Sequence, residues 1–239
     1  MYKGKRILAI IPARGGSKGL ARKNIRELYG HPLIYWTIER AKQSKYIDYI
    51  FVSTDSQEIA DVCQIECAIT VDELRPENLA QDDTSSTDVI KYTIEKMESV
   101  GERFNYMILL EPTSPLRKES DIDSIIKLAC DNPIEDGVIS CGEIHMEHPI
   151  AAKMIDDNGH LTPYNEKRLK VYQRQQMDKV YFPYGVAYLI KIDVFMKELQ
   201  LYTNKILPYV IERWQGYEVD DIYDMLCIEA VMKHERFRI

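Results

Sequence analysis

The 239-residue chain has no C-x-x-C pair among its five cysteines, Cys63, Cys67, Cys130, Cys141 and Cys227. An odd, scattered set supplies neither a disulfide framework nor a four-thiolate zinc site, and it reads as reduced, mostly buried thiols. Long hydrophobic runs are missing too. The basic start, Met1-Tyr2-Lys3-Gly4-Lys5-Arg6, leads into an apolar stretch covering only residues 7–11, too short for a signal-peptide core or a bilayer span. A cytoplasmic protein without a membrane partner is expected. An excess of positive charge is lacking: 31 Lys and Arg stand against 38 Asp and Glu, a formal net charge of -7, and no basic face is broad enough to release many counterions, which excludes nucleic acid as an expected partner. Neither an internal repeat nor a low-complexity segment is present.

What is present is enough apolar material, 45% of residues, for one large core, so residues 1–239 are expected to form one domain. Strand-like and helix-like stretches alternate. Residues 7–11, 49–54, 106–110 and 137–141 read as buried strands, with a short one at 68–71 and others at 185–190 and 206–210. Helices are expected at Ile34, Ile38 and Ala41, at 57–64 behind Asp55-Ser56, at 86–100 through Ile90, Ile94 and Met97, and at 222 to about 234. Ser120-x-x-Asp123 has the spacing of a capping box for a helix reaching about Cys130. Residues 72–84 lack periodicity and read as a long loop, a kind of segment that is usually functional. Residues 142–184 turn irregular and polar, an excursion from the main sheet. The pattern predicts an α/β fold with a doubly wound, mostly parallel sheet and ligands at the carboxyl ends of its strands.

The most informative stretch is Ile10-Ile11-Pro12-Ala13-Arg14-Gly15-Gly16-Ser17-Lys18-Gly19-Leu20-Ala21-Arg22-Lys23-Asn24. Pro12 ends the strand, and from there to Arg26 five cations occur without one acid, a local reversal of charge that points to an anionic ligand. The loop has neither the P-loop order nor that of a dinucleotide fingerprint. Its glycines would let backbone amides and cations reach a triphosphate together. Near the other end, an extended Glu218-Val219-Asp220 would put Glu218 and Asp220 on one face, two oxygen ligands for Mg²⁺. Asp221-x-x-Asp224 ahead of an apolar run suits a helix cap instead. His145-x-x-His148, near Cys141 and Glu147, matches no standard zinc spacing.

The opening loop resembles the signature of the N-acylneuraminate cytidylyltransferases, and Val52-Ser53-Thr54-Asp55, Arg75-Pro76, Asp83-Thr84-Ser85-Ser86, Pro112-Thr113-Ser114-Pro115-Leu116-Arg117 and Arg174-Gln175 follow in that family's order. The resemblance implies a Rossmann-like nucleotidyltransferase that moves CMP from CTP to the anomeric hydroxyl of a sialic-acid-like sugar. It also implies pyrophosphate release, a magnesium requirement and a homodimer built by the excursion. Arg14, Ser17 and Lys23 would contact phosphates and Asn24 the nucleotide, with Arg75, Thr84 and Ser86 selecting cytosine and ribose. Arg14, Lys23 and Arg174 would be catalytic. Glu111, Lys153, Arg174 and Tyr184 would face the sugar. Three positions depart from the family: Glu111 replaces a common Gln, Tyr184 a usual Asn, and Glu218 a usual Asp. The first two lie towards the acceptor and leave its identity open, and the three together suggest a catalytically silent nucleotide-binding module as an alternative; a related nucleotidyltransferase with another nucleotide or acceptor is the other.

Overall fold

The structure, a computed structural model, describes residues 1–17, 19–145, 147–164 and 177–234. In chain order its strands and helices are β1 (Ile7–Pro12), β2 (Glu27–Leu28), β3 (His31–Pro32), α1 (Leu33–Gln43), β4 (Tyr49–Ser53), α2 (Gln57–Cys67), α3 (Ser86–Ser99), β5 (Tyr106–Leu109), α4 (Asp121–Asp131), β6 (Gly137–Glu143), β7 (Lys153–Ile155), β8 (Leu161–Pro163), β9 (Tyr181–Lys191), α5 (Ile192–Glu198), β10 (Ile206–Val210) and α6 (Ile222–Lys233).

Six strands form the central sheet in the order β10-β6-β9-β5-β1-β4. All pair in parallel except β9, which runs antiparallel to both β5 and β6. The expected mostly parallel sheet is therefore what forms. Strand β1 shows why its run is continuously apolar. Ile7, Ala9 and Ile11 pack with Ile34, Ile38, Ile125 and Ile126 of α1 and α4 on one face. Leu8 and Ile10 pack with Ile90, Ile94 and Phe195 of α3 and α5 on the other, as a strand covered by helices on both sides requires. A third cluster joins Leu20 of the opening loop, Leu33, Leu116 and Val219 to Met225, Ile228 and Met232 of α6. This cluster brings the opening loop and the last described helix together at the carboxyl edge of the sheet.

The antiparallel β9 decides where the excursion re-enters. Its register pairs Cys141 with Pro183 and Glu143 with Tyr181, so the first residues of β9 sit at the edge where the parallel strands end. Strand β6 runs to Glu143 and β9 starts at Tyr181, so Tyr184 belongs to the central sheet. Between those strands the described residues carry the β7–β8 hairpin.

Two local expectations fail for physical reasons. Residues 68–71 form no strand. Ala68 takes a left-handed conformation (φ 51°) and closes α2, with its own amide donating to Gln64 O and that of Ile69 to Cys63 O, a helix-ending turn. Nor does Ser120 cap α4, because it lies in helical conformation and its side chain accepts no amide hydrogen bond. Asp121 accepts from the Lys118 amide at 2.8 Å instead, while Asp123 accepts from Ser44 Oγ at 2.6 Å. The cap at Asp221 does form: its carboxylate accepts from the Tyr223 and Asp224 amides, and Asp224 answers to the Asp221 amide.

Candidate active site

Two adjoining cavities open at this carboxyl edge. The first, of about 640 Å³, is enclosed by the opening loop, the 72–84 loop, the start of α3 and the Glu111-Pro112-Thr113 turn. It collects Arg14, Ser17, Lys23, Asn24, Arg75, Thr84, Ser86, Glu111 and Asp220 from segments far apart in sequence. The second, of about 720 Å³, is lined by Tyr184, Phe182, Tyr217, Glu218 and Asp220 among others. Asp220 borders both.

In the opening loop, Arg22 takes a left-handed turn (φ 57°) into a short 3-10 turn that carries Lys23 and Asn24. Lys23 Nζ donates to the Val219 carbonyl at 2.9 Å and lies 3.3 Å from Asp220 Oδ1. Asn24 is buried, and its Nδ2 donates to the Arg14 carbonyl at 2.9 Å, so it shapes the loop as well as lining the cavity. Gly19 is required by approach: a Cβ there would lie 2.7 Å from the Asp220 carbonyl oxygen. The loop and the 218–220 segment thus form one wall. Arg14 reaches across the cavity mouth to pair with Asp82 at 2.9 Å. Lys18 lies outside the described residues.

Arg75 is the least ordinary group in the first cavity. It is only 7% exposed, and its Nη2 stands 3.5 Å from Asp55 Oδ1, yet neither Nε nor Nη2 has a hydrogen-bond partner. The Arg75 amide donates to Thr54 O at 2.7 Å, which fixes the loop to the end of β4. Burial pulls the guanidinium below the usual arginine range. Buried charges are normally met by a partner, and here the partner is Asp55 at the end of β4.

At the junction of the cavities two acids converge on Gly185. Glu218 Oε1 accepts from Ser114 Oγ and from the Gly185 amide, each at 2.5 Å. Glu111 Oε2 lies so close that a Cβ on Gly185 would stand 2.3 Å from it. Burial, followed by the Glu218 charge, pushes the Glu111 carboxyl up to about 7. Beneath them Arg117 is fully buried and uses every donor. Its Nε donates to Val186 O, Nη1 to Thr37 Oγ1 and Ser114 O, and Nη2 to Glu111 O and Gly185 O. This one side chain ties α1, the turn after β5 and the site end of β9 together.

The expected residues divide accordingly. Arg14, Ser17, Lys23, Asn24, Arg75, Thr84, Ser86, Glu111 and Asp220 meet around the first cavity, and Tyr184 and Glu218 around the second. Lys153 is exposed on β7 and lines neither. Arg174 lies outside the described residues. His148 is occupied in capping a 3-10 turn, its Nδ1 accepting from the Ile150 amide. Sequence reasoning passed over Arg117, Ser114, Gly185 and Tyr217. The 112–117 block was visible as a block, but an arginine there gives no sign of burial.

The cytidylyltransferase family model matches residues 8–215. The chain belongs to the cytidylyltransferase family. An N-acylneuraminate cytidylyltransferase of Streptococcus agalactiae is 32% identical over 221 residues, 92% of this chain but 51% of that protein; the chain spans about half the length of such relatives. A CMP-N,N'-diacetyllegionaminic acid synthase of Legionella pneumophila is 33% identical over 233 residues, covering 95% of this chain and 97% of the relative. Among solved structures, a CMP:2-keto-3-deoxy-manno-octonic acid synthetase complexed with CTP superposes with a TM-score of 0.70 at 19% identity, over 95% of this chain and 98% of the other. That likeness confirms the cytidylyltransferase fold. Among the described residues no helix is long and apolar enough to cross a membrane.

Proposed function

We propose that this chain transfers CMP from CTP to the anomeric hydroxyl of a nonulosonic, sialic-acid-like sugar and releases pyrophosphate. The observation that carries this reading is the first cavity itself, which gathers the basic opening loop with Arg75, Thr84 and Ser86 in an otherwise acidic chain. In this reading the base sits against Arg75, Thr84 and Ser86, which offer donors and hydroxyls suited to a pyrimidine carbonyl and a ribose. The triphosphate lies along Arg14, Ser17 and Lys23. The second cavity takes the sugar acid, and Asp220, common to both, stands where the α-phosphorus and the attacking hydroxyl would meet. Arg174 is proposed to balance charge on the sugar side, and Lys153 to lie nearer the acceptor than the nucleotide.

Chemistry of this kind needs positioning and charge neutralisation more than a covalent nucleophile. Lys23, anchored to Val219 O, is held to face the phosphates and to loosen the leaving pyrophosphate. Glu218 is fixed by Ser114 and the Gly185 amide, so its orientation does not depend on ligand. Mg²⁺ is the proposed cofactor. Among the described residues no cluster of three or more acids, histidines or cysteines could hold a metal by itself. Mg²⁺ is generally held by one or two carboxylates and completes its shell with phosphate oxygens and water. Asp220 and Glu218 would supply those carboxylates, and the ion would neutralise charge on the triphosphate. A homodimer and a cytoplasmic location belong to the same proposal. The dimer is supported by Met154, Ile155, Leu161 and Tyr164, exposed apolar residues on or beside the β7–β8 hairpin.

Equilibrium binding tests the nucleotide half directly. Wild-type protein titrated with CTP, UTP, GTP and ATP in the presence of Mg²⁺ is expected to prefer CTP. Arg75→Gln should weaken CTP by about 10–100-fold, the worth of a hydrogen bond to a charged group. Equal affinity for all four nucleotides would reject the assignment.

A further inference from the structure

Both loops around the first cavity are fastened at the carboxyl end of β4. The Ser53 carbonyl accepts from the Ala13 amide at 2.8 Å, which holds the start of the opening loop, and the Thr54 carbonyl accepts from the Arg75 amide at 2.7 Å, which holds the 72–84 loop. The next residue touches both. Asp55 Oδ1 accepts from the Gly15 amide at 2.9 Å, and the same oxygen stands 3.5 Å from Arg75 Nη2. One carboxylate oxygen therefore links the loop that carries Arg14 and Lys23 to the guanidinium of the 72–84 loop.

The turn that carries Asp55 is held on both sides. Ser56 caps α2 by accepting from the Ile59 amide, and its own amide donates to Thr54 Oγ1 at 3.1 Å. Gly15 lies so near this turn that a Cβ there would stand 3.0 Å from Ser56 Cβ, so its amide reaches the carboxylate because position 15 has no side chain. Arg14, Ser17 and Arg75 line the first cavity, whereas Asp55 lines neither cavity. It therefore acts through its neighbours and not on a ligand. Its two contacts ask different things of the side chain. A backbone amide needs an acceptor oxygen, which an asparagine also supplies. A guanidinium only 7% exposed needs a negative charge, which the carboxylate alone supplies.

We propose that Asp55 is the positioning residue that sets base selection and triphosphate binding in one frame, its charge orienting the Arg75 guanidinium towards the base and its Oδ1 fixing the Gly15 backbone of the phosphate loop. The inference rests on the cytidylyl-transfer reading above and adds the residue through which Arg75 reads the base. The two contacts can be separated by substitution. Asp55→Asn keeps an acceptor for the Gly15 amide and removes the charge from Arg75, whereas Asp55→Ala removes both.

The test is a set of equilibrium titrations with CTP, UTP and inorganic tripolyphosphate in the presence of Mg²⁺. They are made on wild type, Asp55→Asn, Asp55→Ala, Arg75→Gln and the double variant Asp55→Asn with Arg75→Gln. Asp55→Asn should weaken CTP by about 10-fold and narrow its margin over UTP by a similar factor. Tripolyphosphate, which has no base, should stay within about 2-fold of wild type, the margin expected of independent sites. Asp55→Ala should weaken tripolyphosphate as well. In the double variant CTP should bind as it does in Arg75→Gln alone, because the lost charge acts through that guanidinium. Fully additive losses in the double variant, or a CTP-to-UTP margin in Asp55→Asn equal to that of wild type, would overturn the assignment. So would an equal loss of tripolyphosphate and CTP in Asp55→Asn, which is the result a merely loosened loop would give. Wild-type protein that binds CTP and UTP equally would instead overturn the nucleotide reading on which the inference rests.

Discussion

Glu111 shows how one residue carries a measurable signature of its surroundings. Its carboxyl, pushed up to about 7 against an ordinary 4.5, keeps a proton in the folded state that the unfolded chain releases. A raised folded pKa contributes stability that is fully present below pH 4.5 and is lost as pH rises through about 7. The difference in pKa limits the effect to about 3 kcal/mol. Glu111→Gln has no proton to lose. Its melting temperature, measured without divalent metal, should therefore fall less between pH 4.5 and 7 than that of wild type, and identical slopes would contradict the burial argument. Sequence gave the position of this residue but not its environment. Arg75 is similar, because an arginine in a polar loop reads as exposed, and its burial follows from the loop being drawn onto the end of β4. Arg14 and Lys23 were legible because local charge reversal in an acidic chain is visible without a fold, and Asn24 because it closes the family signature. Lys153 was placed by family resemblance across loose local spacing, and it lines neither cavity.

Among the elements, the parallel strands were the most readable, since burial on both faces makes β1 and β5 apolar nearly throughout, and the edge strand β4 is apolar along most of its length. The direction of β9 was not readable. Whether a strand runs parallel or antiparallel depends on which partners flank it, and β9 is inserted between β5 and β6, which pair with it from distant parts of the chain. The strand expected at 68–71 had apolar character but followed a helix whose end needed a left-handed residue. Arg117 holds the site end of β9 to α1 and to the turn after β5. Replacing it by methionine removes the five hydrogen bonds it gives to four carbonyls and the Thr37 hydroxyl. Breaking a buried charged network costs about 3–5 kcal/mol. Urea denaturation of Arg117→Met should show a loss of that size, and a change below about 1 kcal/mol would mean that the network is not structural. Gly185→Ala should be equally damaging at the same junction, because its Cβ would meet both Glu111 Oε2 and Ser114 Oγ, the latter at 2.7 Å.

For the molecule as a whole, the β7–β8 hairpin is the part the central core does least to explain. A two-stranded hairpin is marginal alone, and Ile155 and Leu161 on it are 73% and 74% exposed. A second copy covering this surface is the expected arrangement, so sedimentation equilibrium should return twice the 27.9 kDa chain mass. Ile155→Glu together with Leu161→Glu should return the single mass, and a wild-type monomer at micromolar concentration would contradict the dimer. The division of labour between two cavities that meet at Asp220 is the central claim, and acceptor-dependent pyrophosphate release tests it most directly. With Mg²⁺ and a panel of nonulosonic acids, release is expected with CTP and acceptor together, and not with CTP alone or with UTP, GTP or ATP. Release that ignores the acceptor, or that follows another nucleotide, would contradict the account.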